Sequence, residues 1–512
     1  MQLKSVLTVA AALAGIAMSL KWPAILLIIV GVNLALQFLV MGMQLIFSRF
    51  PVESPVRNDL VEEEPFVSIH VPTHNEPPEV VAQTLRSLAN LRWSHYEVLV
   101  IDNNTSDRAL WEPLRDLCST LGEKFRFFHV ENLPGFKAGA MNWVRKFMDP
   151  RAKFIFVVDA DYVVEPSALR VALSYFTDDS IGLIQFPQNY RNVTKANEGI
   201  ALDYKHFFTG FMNVANRLDC VPSTGTLALV NVRALESIGG FNTGAITEDA
   251  DLGLQLSLSG FRSIYANKIV GAGLMPHDLE SLKKQRWRWT FGNAQILRRN
   301  WRTLFFSPRL NIKQRLGFVA HLTAWFSFNL VPSLALILVA FYSCIGRLTI
   351  PQIYTVPIAG FSLLTYLIFK YGIIYYSLRS ERHSSASIAK AFASNMGLGW
   401  ALGASWLRCL FVSDAPFIRT NKFISEVMPN AIKSMTIELA LGIALLMSAL
   451  IFALSDFVFG PIAALLMCGA RFAIYWVYVQ TRHTFAATAA LFPIEEKTST
   501  GECNRIEVET AT

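Results

Sequence analysis

The sequence predicts an α/β membrane protein in which a doubly wound, mostly parallel sheet domain is inserted between two sets of transmembrane helices. Three observations carry this reading. Of 512 residues, 52% are hydrophobic and 17% charged, with a mean hydropathy of +0.35, whereas a soluble globular chain carries about 25% charged residues. The long uncharged runs fall at the two ends of the chain. Between them, short runs rich in Val, Ile and Phe alternate with helical stretches, the pattern of buried parallel strands with crossover helices.

Taken in order, Ser5 to Leu20 is uncharged, Lys21-Trp22-Pro23 interrupts, and Ala24 to Ser48 is uncharged again. A crossing needs about 20 apolar residues, so the second run suffices and the first is short. Residues 1–50 read as a transmembrane hairpin, the alternative for the first run being a cleaved signal peptide. Over residues 51–315 the charges return. Phe66–Val71, Tyr96–Asp102, Phe125–Val130, Phe154–Asp159 and Ile181–Phe186 read as strands, with helices such as Pro78–Leu91 and Ala138–Phe147 between the first four. Residues 316–480 are apolar again: Gly317–Ile345, Gln352–Phe369, Leu439–Ser455 and Phe457–Gln480 are expected to cross, which makes about six spans and puts both termini on the side of the sheet domain. Arg471, inside the last run, is expected to snorkel or pair with a neighbour. Ser385–Phe411 is rich in Ala and Gly and reads as an amphipathic helix at the membrane surface, with a seventh span as the alternative. Residues 481–512 hold three basic and five acidic residues and read as a disordered tail. Lysine and arginine near the runs favour a cytoplasmic sheet domain.

The net charge of +7 is too diffuse to call for a nucleic-acid partner. The six cysteines form no CxxC and no Cys/His cluster, which argues against a disulfide framework and a structural zinc site.

The polar residues that carry chemistry fall at strand ends and loops, where an open α/β sheet places its ligands. Strand two ends in Ile101-Asp102-Asn103-Asn104. Strand four ends in Asp159-Ala160-Asp161, and two carboxylates on one side of an extended segment can hold a hard divalent cation against a diphosphate. Gly135-Phe136-Lys137-Ala138-Gly139 opens a helix in a manner suited to a phosphate. Thr247-Glu248-Asp249 precedes a helical run, where plain capping is the bland alternative. Gln285-Arg286-Trp287-Arg288-Trp289 lies on a helix beginning near Asp278, and its two tryptophans cannot share one face.

Together, the order Asp, Asp-x-Asp, Thr-Glu-Asp, Gln-x-x-Arg-Trp between membrane runs resembles the family-2 processive glycosyltransferases, which include the cellulose, chitin, hyaluronan and β-glucan synthases. Val71-Pro72-Thr73-His74-Asn75-Glu76-Pro77 and Lys284–Trp289 look most like the bacterial β-glucan synthases of (1→3) type. The resemblance implies a GT-A domain and an inverting, metal-dependent transfer from a UDP-sugar, with UDP-glucose expected, to a growing polysaccharide that is translocated across a bacterial inner membrane. It implies Mg2+ or Mn2+ as cofactor, the lipid bilayer and accessory envelope subunits as partners, and no nucleic acid. Thr73, His74 and Glu76 would border the uracil and ribose, and Asp102 would contact the nucleoside. Lys137, Gln285 and Arg288 would hold the diphosphate, and Asp159 with Asp161 the metal. Thr224 and Gly225 would lie beside the acceptor end, with Trp289 stacked under its sugar. Asp249 would be the general base, with Glu248 beside it in the catalytic pair. Phe417-Ile418-Arg419-Thr420-Asn421-Lys422 resembles the family's gating loop, here 413–425, through Phe417, Thr420 and Lys422. His74 stands where the family commonly has tyrosine. The competing readings are a non-processive lipid-linked sugar transferase and an inactive membrane scaffold.

Overall fold

A computed structural model of the chain describes residues 21–50, 55–58, 64–413, 430–455, 457 and 460–492. The five runs of the central region form strands, the inner ones buried on both faces of a sheet and the third half-buried at its edge. They are β1 (Phe66–Thr73), β2 (Tyr96–Asn103), β3 (Phe125–Val130), β4 (Ala152–Val157) and β6 (Ile181–Gln185), with helices α2 (Pro78–Ala89), α3 (Arg108–Leu121) and α4 (Phe136–Val144) joining the first four. Side chains alternate across β2. Val98 and Val100 pack with Val81 and Leu85 of α2, while Leu99 and Ile101 pack with Ala140 and Val144 of α4.

The sheet has seven strands in the order β3-β2-β1-β4-β7-β6-β8. Its two unforeseen members are β7 (Ala228–Asn231) and β8 (Arg262–Tyr265). β7 runs antiparallel to both β4 and β6, so the sheet is mixed. A further antiparallel pair, β5 (Val163–Val164) with β9 (Gly271–Ala272), stands beside it. In-register pairing of Thr73 with Asp102, and of Asp102 with His129, aligns the carboxyl ends of β1, β2 and β3 along one edge.

Among the described residues, four helices are long and apolar enough to cross a membrane. They are α1 (Ala24–Phe47), α13 (Ile350–Arg379), α16 (Ala431–Leu454) and α17 (Gly460–Leu491). Buried amides join the first two: Gln37 donates to Ser362 O at 3.0 Å and to Thr365 Oγ1 at 2.7 Å. The hairpin partner expected at Ser5–Leu20 lies outside the described residues, as does most of the proposed tail.

Three expectations are corrected here. Gly317–Ile345 is not one span but two helices, α11 (Ile312–Leu322) and the 15-residue α12 (Leu330–Cys344). The break is polar and buried: Asn329 accepts from Arg471 at 2.9 Å, and the Ser327 carbonyl accepts from Trp406 Nε1 at 2.9 Å. Irregular backbone at membrane depth survives where protein groups satisfy it in this way. Ser385–Phe411 is likewise two helices, α14 (Ser385–Gly397) and α15 (Gly399–Phe411), meeting at Leu398. At 13 residues each, or about 20 Å, neither crosses alone, and small residues bring α14 close to α17. The last helix does not stop at Gln480 but runs to Leu491. Its polar stripe holds the segment before α6 (Glu198–His206): Asn197 donates to Thr484 and Asn192 to Thr488, both at 2.9 Å.

Candidate active site

The carboxyl ends of β1, β2 and β4 open into a cleft of about 320 Å³. Thr73, His74 and Glu76 line it after β1, and Asn103 and Asn104 after β2. Asp159 and Asp161 follow from β4, and Lys137 comes from the first turn of α4. Opposite them stand Thr224 and Gly225, then Glu248 and Asp249 at the start of α9 (Glu248–Leu258). Gln285, Arg288 and Trp289 project from α10 (Leu279–Phe306), whose amino terminus is capped by Asp278 accepting from Ser281 N at 2.8 Å.

Close approaches between backbone segments set this geometry. Gly225 has φ +83°, and a Cβ on it would lie 2.7 Å from Asp249 Oδ2. Its carbonyl accepts from Lys137 Nζ at 2.6 Å, and the same ammonium pairs with Asp159. Gly292 of α10 lies so near Thr247 that any side chain would strike the threonine hydroxyl. The segment that carries Glu248 and Asp249 and the Gln-x-x-Arg-Trp helix are therefore in direct contact at Thr247.

Burial, and then the neighbouring Asp249, push the Glu248 carboxyl up to about 7. Burial also raises Asp249, against the opposing charges of Lys137 and Arg288. Burial works against the Lys137 charge, but Asp159, Glu248 and Asp249 hold its ammonium above the usual lysine value. Three carboxylates and two cations thus face one another across the cleft. Capping does not account for Thr247, whose side chain makes no cap hydrogen bond.

Two expected residues stand differently. Asp102 is 2% exposed and lies beneath the cleft, where Oδ1 accepts from Thr73 at 2.9 Å and Thr105 at 2.8 Å, and Oδ2 pairs with His129 at 2.8 Å. It supports Thr73 from behind, while Asn103 and Asn104 line the surface. The segment Asp159–Asp161 is not extended but turned, with Tyr162 N donating to Asp159 O at 3.1 Å. Asp161 still lines the cleft, but one of its oxygens is engaged, Oδ2 accepting from Leu274 N at 2.9 Å. Among the described residues, no group of three or more His, Cys, Asp or Glu side chains forms a closed metal cage. Two carboxylates fit a hard divalent cation that takes its other ligands from diphosphate oxygens and water.

His74 is fixed on both edges, with Nδ1 at 2.6 Å from Asn103 O and Nε2 at 3.0 Å from Asn75 Nδ2. Phe417, Thr420 and Lys422 lie outside the described residues. The chain leaves for that segment at Ser413, whose carbonyl accepts from Gln295 of α10 at 2.9 Å. Gln188, Tyr190 and Tyr162 also line the cleft and were missed. A usable signal existed for the first two, because polar and aromatic residues directly follow the β6 run.

A second, smaller cavity of about 50 Å³ begins at Thr224, Asp249 and Trp289 and continues toward the helices, among Phe207, Phe208, His321 and Trp325. The two tryptophans of the motif do part company. Trp289 faces both cavities, whereas Trp287 stacks on Phe291, with ring centroids 4.9 Å apart.

Comparison with known proteins agrees with this arrangement. Residues 68–239 match glycosyl transferase family 2, and residues 154–378 match glycosyl transferase family group 2. The chain is 26% identical over 311 residues to the cellulose synthase 1 catalytic subunit of Komagataeibacter xylinus, covering 58% of this chain and 40% of that protein. It is 27% identical over 259 residues to a probable glucomannan 4-β-mannosyltransferase of Arabidopsis thaliana, covering 48% of this chain and 46% of that one. The chain thus spans less than half the length of these relatives. A solved mannosyltransferase from Pyrobaculum calidifontis, in complex with GDP-Man and Mn2+, shares the fold with a TM-score of 0.50 at 17% identity, covering 72% of this chain and 98% of that one. Residues 68–378 thus carry two overlapping matches to family-2 glycosyltransferases, and the chain is related to the cellulose synthases and glucomannan mannosyltransferases.

Proposed function

We propose that this chain is a processive, inverting glycosyltransferase that polymerises a β-glucan from a nucleotide diphosphate sugar, UDP-glucose, and passes the product into its own helices. The observation that carries the reading is the position of Asp249, which lines both the large polar cleft and the narrow aromatic cavity beyond it. A base placed at such a junction can serve a donor on one side and an acceptor end on the other. Indole faces such as Trp289 suit a sugar ring, and the cavity is lined on its far side by Phe207, Phe208, His321 and Trp325 of the helical region.

Inverting transfer needs a base for the acceptor hydroxyl and stabilisation of charge on the departing diphosphate. Asp249 takes the hydroxyl proton, and its raised affinity for protons makes it a stronger base than an ordinary aspartate. Lys137 and Arg288 face the same space and offset the charge that develops on the leaving group. A divalent cation, when bound by Asp159 and Asp161, would add Lewis-acid stabilisation of that diphosphate. No carboxylate needs to attack the sugar. Thr73, His74 and Glu76, on the β1 side, border the nucleoside.

The test is incorporation of radiolabel by the purified protein in lipid from UDP-Glc, UDP-GlcNAc and GDP-Man. Label from UDP-Glc in polymer supports the proposal. Label from GDP-Man alone would assign the mannosyltransferase chemistry named for the relatives, and label only in lipid would assign the non-processive class.

A further inference from the structure

One fully buried cation near the cleft has no part in the chemistry above. Arg286 is 0% exposed, yet it sits between Gln285 and the Trp-Arg-Trp run that reaches the cleft. Its Nη2 donates to Asp203 Oδ2 at 2.6 Å, and Asp203, 1% exposed, accepts on its other oxygen from Asn395 at 2.8 Å. Nε and Nη1 have no hydrogen-bond partner among the described residues. They need none of the usual kind, because the guanidinium lies 3.9 Å from the Tyr204 ring centroid, 4.2 Å from Trp325 and 5.2 Å from Trp289. A desolvated guanidinium over aromatic faces is a favourable contact that a point-like ammonium cannot reproduce over three rings.

The rings held in this way belong to the site. Trp289 and Trp325 both line the cavity beyond Asp249, with centroids 5.5 Å apart. Tyr204, edge-on to Trp289 at 5.7 Å, donates its hydroxyl hydrogen bond to Gln285. An isolated buried ion pair is weak evidence for stability, since apolar residues of similar volume do as well. A buried arginine that touches three rings of the acceptor side and shares Tyr204 with Gln285 is better explained by orientation.

We propose that Arg286 is a positioning residue: anchored by Asp203, it holds Trp289 and Trp325 in the orientation that receives the acceptor sugar, while the donor-side bond to Gln285 is made by Tyr204 itself. This rests on the proposed transferase reading and deepens it. Loss of the planar cation should free the acceptor platform while leaving the donor pocket formed. Transfer to sugar should then fall relative to transfer to water.

The experiment compares polymer formation with release of free glucose from UDP-Glc, in the intact protein in lipid, for the parent, Arg286→Lys and Tyr204→Phe. Arg286→Lys should lower the ratio of polymer to free glucose by about tenfold or more, with the KM for UDP-Glc within about threefold of the parent. Tyr204→Phe keeps the ring and removes only the bond to Gln285, so it should raise that KM and leave the ratio unchanged. If Arg286→Lys lowers both products in parallel, or changes neither, the arginine has only a structural role and the proposal falls. A parent protein that makes no polymer from UDP-Glc would instead overturn the transferase reading, and this inference with it.

Discussion

The glycine at position 225 shows how the site concentrates charge at the level of single residues. Because it has no side chain, Asp249 can lie against the loop that also receives Lys137. Asp249→Asn keeps that shape and removes the proposed base. Polymer formation should fall by about a thousandfold, with UDP affinity within a few-fold of the parent by calorimetry. Joint loss of both would mark Asp249 as structural. Glu248 ties activity to pH. Its carboxyl rises from 4.5 to about 7 on folding, so the folded state favours its protonated form. Folding stability should therefore decline as pH rises from about 4.5 to 7, while deprotonation of the carboxylate pair makes activity rise over that window. Glu248→Gln should flatten the stability trend in melts from pH 4.5 to 8, and a trend unchanged by the variant would refute the assignment. For Asp159→Ala and Asp161→Ala, the expected result is weaker UDP binding in Mg2+ or Mn2+ and little change in EDTA. Equal activity of the parent in EDTA and in metal would remove the cation from the mechanism.

Contacts between elements decide whether those residues meet. Gly292 lets α10 rest on Thr247, so Gly292→Val should displace the helix that carries Gln285, Arg288 and Trp289. Activity should drop by about a hundredfold, and nucleotide affinity should fall too, with the far-ultraviolet dichroism of the fold retained. Parent-like turnover would show that the contact is dispensable. The five long strands were legible because each is rich in Val, Ile, Leu or Phe over five to eight residues. β7 and β8 were not, since Ala-Leu-Val-Asn and Arg-Ser-Ile-Tyr are too short to stand out from the loops around them. The turn at Asp159–Tyr162 was also illegible, because whether two carboxylates are extended or turned depends on Thr226 Oγ1 accepting from Asp159 N, a contact 67 residues away. Asp102 shows the same limit. A strand-end carboxylate was expected to face ligand, but the side chains of adjacent strand residues point to opposite faces, and here it is Asp102 that faces inward. Proximity of Tyr204 to Gln285 is a property of the fold alone.

At the scale of the whole molecule, α12 leaves the cleft region at Leu330 and ends at Cys344, and α13 returns from Ile350 to Arg379 beside the sheet domain. The turn between them, residues 345–349, lies at the opposite end of these two helices from Leu330 and Arg379. Cys344 is exposed, whereas Cys118, Cys220, Cys409 and Cys468 are buried. A membrane-impermeant maleimide should therefore label Cys344 from outside intact cells if the sheet domain is cytoplasmic, and Cys344→Ser should abolish that label. Labelling of Cys344 only in inverted vesicles would reverse the proposed orientation. The narrow cavity beyond Asp249 bears on a different requirement of such a protein. Any conduit through an energised membrane is a potential short circuit for protons and ions. At about 50 Å³, the cavity has room for only a few waters, and away from Asp249 the rings of Phe207, Phe208 and Trp325 offer an ion little to replace its hydration. Under the proposed function, these rings would act as a dielectric seal at rest. The emerging sugar chain would then take over as the plug, keeping the membrane electrically tight while a hydrophilic polymer passes.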